Sequence, residues 1–251
     1  LYLSVASAVA EGAPGESGWN WQIEGGGVSQ FDADIDAGGK VNVNRYFVDL
    51  STSQRYGDGT RVGVALSYGQ SNYDFTGPVQ IGSTNPWNRI ENASLSASVF
   101  YPVDERWTLY GIPSIRFSSE RGASLDDGRT LGLLAGASYR FSDRLTVGPG
   151  FGAFGELEGG TDLLPIVIVN WKITDELSLE TGRGFAASRG PGLQFRWRPS
   201  SSWQFAFGAR YEKQRFRLDD SGAAPDGIGE DTSFPVYALA QYQAAPTIVL
   251  S

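Results

Sequence analysis

From Trp19 onward the chain repeats one pattern: about ten residues of alternating polarity, a tight polar turn, another alternating run, then a looser stretch. In Arg61 to Gln70, Val62, Val64, Leu66 and Tyr68 fall on one side and Gly63, Ala65, Ser67 and Gly69 on the other, because side chains on a strand alternate between faces. The same split recurs. Leu95, Val99 and Tyr101 oppose Asn92, Ser94, Ser96 and Ser98; Trp107, Leu109, Ile115 and Phe117 oppose Thr108, Tyr110, Ser114 and Arg116. Leu131, Leu133, Ala135, Tyr139 and Phe141 oppose Thr130, Gly132, Gly136, Ser138 and Arg140, and after Ser202 the bulky set is Trp203, Phe205, Phe207 and Tyr211 against Gln204, Gly208, Arg210 and Glu212. The runs over Arg45 to Leu50 and Leu164 to Ile173 alternate less cleanly. The pattern predicts about twelve antiparallel strands between Trp19 and Gln243.

Alternation alone does not say which face looks outward, since a soluble barrel hides its apolar face inside. The turns decide. Short ones fall at Gly57-Asp58-Gly59, Pro102 to Arg106, Ser142-Asp143-Arg144, Thr174-Asp175-Glu176 and Pro199 to Ser202. Beside them stand Tyr56, Tyr101, Trp107, Phe141, Trp171, Trp197 and Trp203. Aromatics at the same end of successive hairpins form a girdle, which a membrane interface selects and bulk water does not. The opposite ends carry longer polar stretches, Asn72 to Arg89 and Leu218 to Thr232, expected to be outside loops. The fold predicted is a transmembrane up-and-down antiparallel β-barrel with an apolar outer face.

The termini add to this. Leu1 to Ala10 is a short apolar stretch ending Ala8-Val9-Ala10 before Glu11, a signal-peptide cleavage signature, with a strand of small residues as the alternative. Residues 11–18 then read as a periplasmic leader and 19–251 as the barrel. Thr247-Ile248-Val249-Leu250 opens a further strand, so the barrel is expected to be cut short at its C-terminal end; with even strand numbers, about fourteen are expected in the whole protein.

The turn Tyr101-Pro102-Val103-Asp104-Glu105-Arg106-Trp107 and its echo Phe141-Ser142-Asp143-Arg144-Leu145 resemble the periplasmic turns of many Gram-negative outer-membrane barrels. The end, Pro235 to Leu239 and Ala245 to Leu250, is similar to that of an uncharacterised family of such barrels, a domain of unknown function. The resemblance spans nearly the whole chain. It implies a bacterial outer-membrane location and leaves activity open.

Composition narrows the chemistry. No apolar run approaches the roughly 20 residues of a spanning helix. Cysteine, histidine and methionine are absent, which removes the usual general base and the soft or imidazole metal ligands; no catalytic site, metal or cofactor is implied. The net charge is −8 and the arginines are scattered, which argues against nucleic acid. Gly148-Pro149-Gly150-Phe151-Gly152 lacks the helix a phosphate loop needs and reads as a lumen face without side chains.

Charges on the polar faces must point into the lumen, because facing lipid they would cost a few kcal/mol each. The lumen set is Arg116, Arg140, Glu156, Glu180, Gln194, Arg196, Gln204, Arg210 and Glu212. A hairpin symmetric about Ser188 would place Glu180 close to Arg196 as a salt bridge. Such pairs either line a pore or rigidify the barrel. The expected function is a passive channel or porin-like transport pore, with lipid and lipopolysaccharide as surroundings and small solutes as cargo. The alternatives are a non-conducting structural or adhesive platform and a lipid-modifying barrel completed by residues beyond this sequence.

Overall fold

The computed structural model describes residues 2–5, 18–35, 38–77, 86–181, 192–221, 224–234, 236–245 and 248–250. Its strands are β1 (Tyr2–Val5), β2 (Asn20–Asp34), β3 (Lys40–Arg55), β4 (Arg61–Thr76), β5 (Arg89–Pro102), β6 (Trp107–Glu120), β7 (Arg129–Ser142), β8 (Leu145–Gly155), β9 (Thr161–Lys172), β10 (Leu177–Thr181), β11 (Gly192–Trp197), β12 (Trp203–Arg210), β13 (Glu212–Arg217), β14 (Ile228–Ser233), β15 (Val236–Ala245) and β16 (Ile248–Leu250). Fourteen of them pair in chain order, β1 through β12 and then β15 and β16. The resulting up-and-down antiparallel barrel contains the twelve strands expected between Trp19 and Gln243, flanked by β1 and β16. Among the described residues no ladder joins β1 to β16, and β1 approaches β15 instead.

Tyr2–Val5, within the stretch read as the end of a signal peptide or a strand of small residues, pairs with β2 from Tyr2 opposite Gln30 to Val5 opposite Gly27. Leu218 to Thr232, expected to be an outside loop, belongs to a hairpin: β13 and β14 leave the barrel path, pair with each other, and fold inward.

Each short turn is stapled by a side-chain oxygen accepting from the backbone two or three residues on. Asp58 accepts from the Thr60 N–H at 2.9 Å, Asp104 from those of Arg106 and Trp107 at 2.7 Å, Thr174 from Leu177 at 3.0 Å and Ser200 from Trp203 at 3.1 Å. These bonds hold the Asp58 and Asp104 carboxyls below the usual aspartate range. Gly59 takes the left-handed conformation its turn requires, with φ 86°.

Along β4 the polarity inverts. Val64, Leu66 and Tyr68 are exposed on the outer face while Gly63, Ser67 and Gly69 are buried on the inner one. Beyond Tyr68 the outer positions become Gln70, Asn72 and Asp74, and the buried inner ones Tyr73 and Phe75. β3 shows the same reversal, with Val48 and Tyr46 exposed outside below and Val43 buried inside above. An outer face that is apolar for only part of the strand has a defined belt. Above the belt the inner face becomes a dry core of Val43, Tyr73, Phe75, Ile90, Phe216 and Leu218, which closes around the hairpin.

Candidate functional site

The hairpin is the feature around which the interior is organised. Even-numbered positions of β13 face the β3 to β6 wall. Glu212 meets Arg45 at 3.5 Å, and Arg45 also binds Asp231 of β14 at 2.9 Å, its side chain only 8% exposed. Tyr73 donates to the same Asp231 at 2.7 Å. Gln214 donates to Asn92 at 2.8 Å. Phe216 is fully buried, with Trp87 edge-on at 5.2 Å and Tyr73 at 6.4 Å between centroids. Arg217 pairs with Ser119 on the free edge of β6, and Glu120 accepts from the Asp219 N–H at 3.1 Å.

Odd-numbered positions face the other way. Lys213 reaches Asp162 at 3.2 Å and Glu156 at 3.8 Å, and Arg215 reaches Glu156 at 3.2 Å. All four side chains are roughly a third exposed. The hydrogen bond to Asp162 raises the Lys213 ammonium above its ordinary value, and that from Arg215 lowers the Glu230 carboxyl.

Below the hairpin lies a cavity of about 1070 Å³. It extends from Glu212 to Arg215 down to the short turns at Asp58, Gly59 and Asp104 to Arg106. Its wall includes Ser67, Asn92, Ser94, Thr108 and Thr130, with an apolar side from Leu164, Ile166 and Ile168 of β9. That side explains the poor alternation of β9, which is apolar on both faces. Arg116 lines the cavity with its guanidinium 4.5 Å above the Phe154 ring centroid. Phe154 lies flat because Gly132 and Gly152 make room: a Cβ on either would come within 2.7 Å of its ring. Gly136 and Gly150 accommodate the buried Tyr110 in the same way. The glycine-rich inner face thus holds aromatic plates.

The other expected lumen residues divide into two groups. Arg140 lines the cavity at the short-turn end and donates to the Glu105 carbonyl. Glu156 and Glu212 also line it, but neither sits on a barrel strand: Glu156 follows β8 in the loop-end turn, and Glu212 opens the hairpin because β12 ends at Arg210. Glu180, Gln194, Arg196, Gln204 and Arg210 instead lie on β10 to β12 and make separate contacts among themselves and with β15. Glu180 and Arg196 are 3.4 Å apart, but diagonally, since Glu180 stands opposite Gln194 and Ser178 opposite Arg196. The turn expected about Ser188 lies outside the described residues. Tyr237 donates to Gln194 at 2.9 Å, Arg198 to Gln204 at 2.8 Å, and Arg210 pairs with Glu212.

Sequence reasoning missed Arg45, Asp162, Lys213 and Arg215, along with Arg55 and Arg61, which line the cavity near the short turns. The expected girdle residues Tyr56, Tyr101, Trp107, Phe141, Trp171, Trp197 and Trp203 are all exposed and lie at or next to strand ends of the short-turn side.

No protein-family model matches the chain, and no curated protein does. Among solved structures the chain is similar to the siderophore receptor PiuA from Acinetobacter baumannii, at 10% sequence identity and a TM-score of 0.35, over 96% of this chain and 47% of that one. The chain therefore spans about half the length of that receptor.

Proposed function

We propose that this protein is an outer-membrane β-barrel whose lumen passes small polar solutes by diffusion, narrowed at its loop end by the β13–β14 hairpin. One observation carries the reading. Among the described residues, the hairpin is packed dry against β3 to β6 but meets the β8 to β9 side through part-exposed ion pairs, with a large cavity directly beneath whose wall is polar on one side and apolar along β9. The apolar outer belt and the exposed aromatics beside the short turns support a membrane setting, where lipid and lipopolysaccharide cover the outer surface. No enzymatic step is part of this reading.

Planar-bilayer recording on the refolded protein tests it. Single-channel steps are expected, and replacing Lys213 and Arg215 with glutamate should move the reversal potential toward cations, since charges in a narrow passage act strongly on passing ions. A wild-type protein that never conducts favours the non-conducting platform. The observation behind that second reading is the aromatic cluster of Tyr73, Phe75, Trp87 and Phe216, which seals the loop end on the β3 to β6 side.

A further inference from the structure

We infer that the narrowing between the hairpin and β8 to β9 binds dipolar solutes, small molecules carrying a carboxylate and an ammonium or guanidinium group together. The inference rests on the conduit reading for how such a solute arrives, and on the geometry of the gap for why it binds. Cations line one side, Lys213 and Arg215; carboxylates line the other, Glu156 and Asp162. Across this gap the charges already satisfy one another, so an entering solute must break their pairs. A simple anion can take over Lys213 and Arg215 but leaves two carboxylates facing each other without cations. A simple cation leaves the converse. A dipolar solute replaces both halves: its carboxylate takes the hairpin cations, its cationic group takes Glu156 and Asp162, and the charge balance of the gap is conserved. The exchange is open to solvent because these side chains are part-exposed, and exposed ion pairs are weak enough to be displaced. Room exists on the cavity side, since Glu156, Asp162, Lys213 and Arg215 all line it. The hairpin need not come away for this, as Phe216 and the Arg45 contacts on its other face hold it to the wall. Glu230 of β14 also pairs with Arg215, at 2.6 Å, so Arg215 is shared between the hairpin and the gap, and Lys213 is the hairpin cation committed to Glu156 and Asp162 alone.

Isothermal titration of the refolded full chain with glycylglycine, acetate and methylammonium tests the inference. Glycylglycine should bind at least about tenfold more tightly than either singly charged probe. That preference should disappear in the Glu156→Gln/Asp162→Asn variant and in the Lys213→Ala/Arg215→Ala variant. It should return in the full exchange, Lys213→Glu/Arg215→Glu/Glu156→Lys/Asp162→Lys with Glu230→Gln to remove the like charge beside position 215, where the gap is again dipolar but reversed. Near-UV circular dichroism of the aromatic cluster checks that each variant keeps its hairpin seated. Equal binding of the three probes, or a preference that survives in both neutral variants, overturns the inference. Entry of an uncharged sugar into liposomes carrying the protein separates the two readings. Sugar entry without a glycylglycine preference leaves the conduit standing and removes the dipolar site; a preference without sugar entry does the reverse.

Discussion

The two faces of β13 are one residue apart along the chain and differ in almost every physical respect. Toward β3 to β6, Phe216 and Leu218 are withdrawn from water and Glu212 meets a buried arginine. Toward β8 and β9, Lys213 and Arg215 hold carboxylates in partly exposed pairs. Burial makes the first face an anchor, since fully burying a phenylalanine contributes about 2 to 3 kcal/mol and desolvated charges tolerate no loss of partner. Exposure makes the second face exchangeable, because a solvated ion pair contributes at most about 1 kcal/mol. A strand with its two faces so divided can stay fixed on one wall of a lumen while presenting replaceable charges to the opposite wall.

Mutations on the anchor should therefore have the largest effects. Phe216→Ala removes a side chain with no exposure and is expected to cost about 4 kcal/mol of hairpin docking, read from hydrogen exchange of the β13 and β14 amides. Protection unchanged within error would show that the hairpin is held from its other side. Arg45→Ala comes next, at about 3 kcal/mol, since it strips Asp231 of its cation, leaving it only the Tyr73 hydroxyl, while Glu212 keeps Arg210. Arg45→Met, which fills the same space, should cost nearly as much, because the loss is of charge pairing rather than volume. Near-complete recovery in the methionine variant would make Arg45 a packing residue.

How much of this was legible follows from the same division. The barrel wall was readable because β4 to β7 keep strict alternation where one face meets an apolar medium and the other a polar lumen, and their turns announce themselves by Asp and Gly. The hairpin was not readable. Asp219, Asp220 and Ser221, then Pro225, Asp226 and Gly227, carry turn chemistry, and turn chemistry does not say whether a segment projects outward or folds back. β13 itself puts Glu212, Gln214 and Phe216 on one face, a mixture that belongs to neither a lipid-facing nor a water-facing pattern, because its partners are an arginine, an asparagine and an aromatic cluster contributed by distant strands. Glu180 and Arg196 show the limit of register: their proximity was foreseeable from a hairpin of about that length, but the diagonal pairing depends on a register that a shift of centre by one residue alters.

On the exchangeable face the expected effects are small in stability. Lys213→Ala should change hairpin protection by at most about 1 kcal/mol. Its effect on the reversal potential should nevertheless exceed that of Arg45→Ala, whose charge is shielded from the lumen. The reverse order would mean that solutes, if they pass, pass along the β3 to β6 side.

The smallest effect expected is a response to pH confined to one face. Glu230 has its carboxyl lowered by Arg215, so its contribution is complete above the ordinary glutamate value, about 4.3, and is lost as pH falls through its lower folded value. Lys213 has its ammonium raised by Asp162, so its contribution is complete below the ordinary lysine value, about 10.4, and is lost as pH rises through its higher folded value. Between those limits the ion pairs should be constant. Spin labels read this directly in a chain without native cysteine. One label at Thr232→Cys on β14 pairs with a second at Thr161→Cys at the start of β9, or with one at Asn42→Cys on β3. The Thr232 to Thr161 distance should broaden in 1 M salt, where screening shrinks to about 3 Å, and at pH above the raised Lys213 value, while remaining narrow at neutral pH and low salt. The Thr232 to Asn42 distance should stay narrow in 1 M salt, because the dry core on that face is not held by screened charges. If salt broadens both distances together, the hairpin moves as a unit and its two faces are not mechanically distinct.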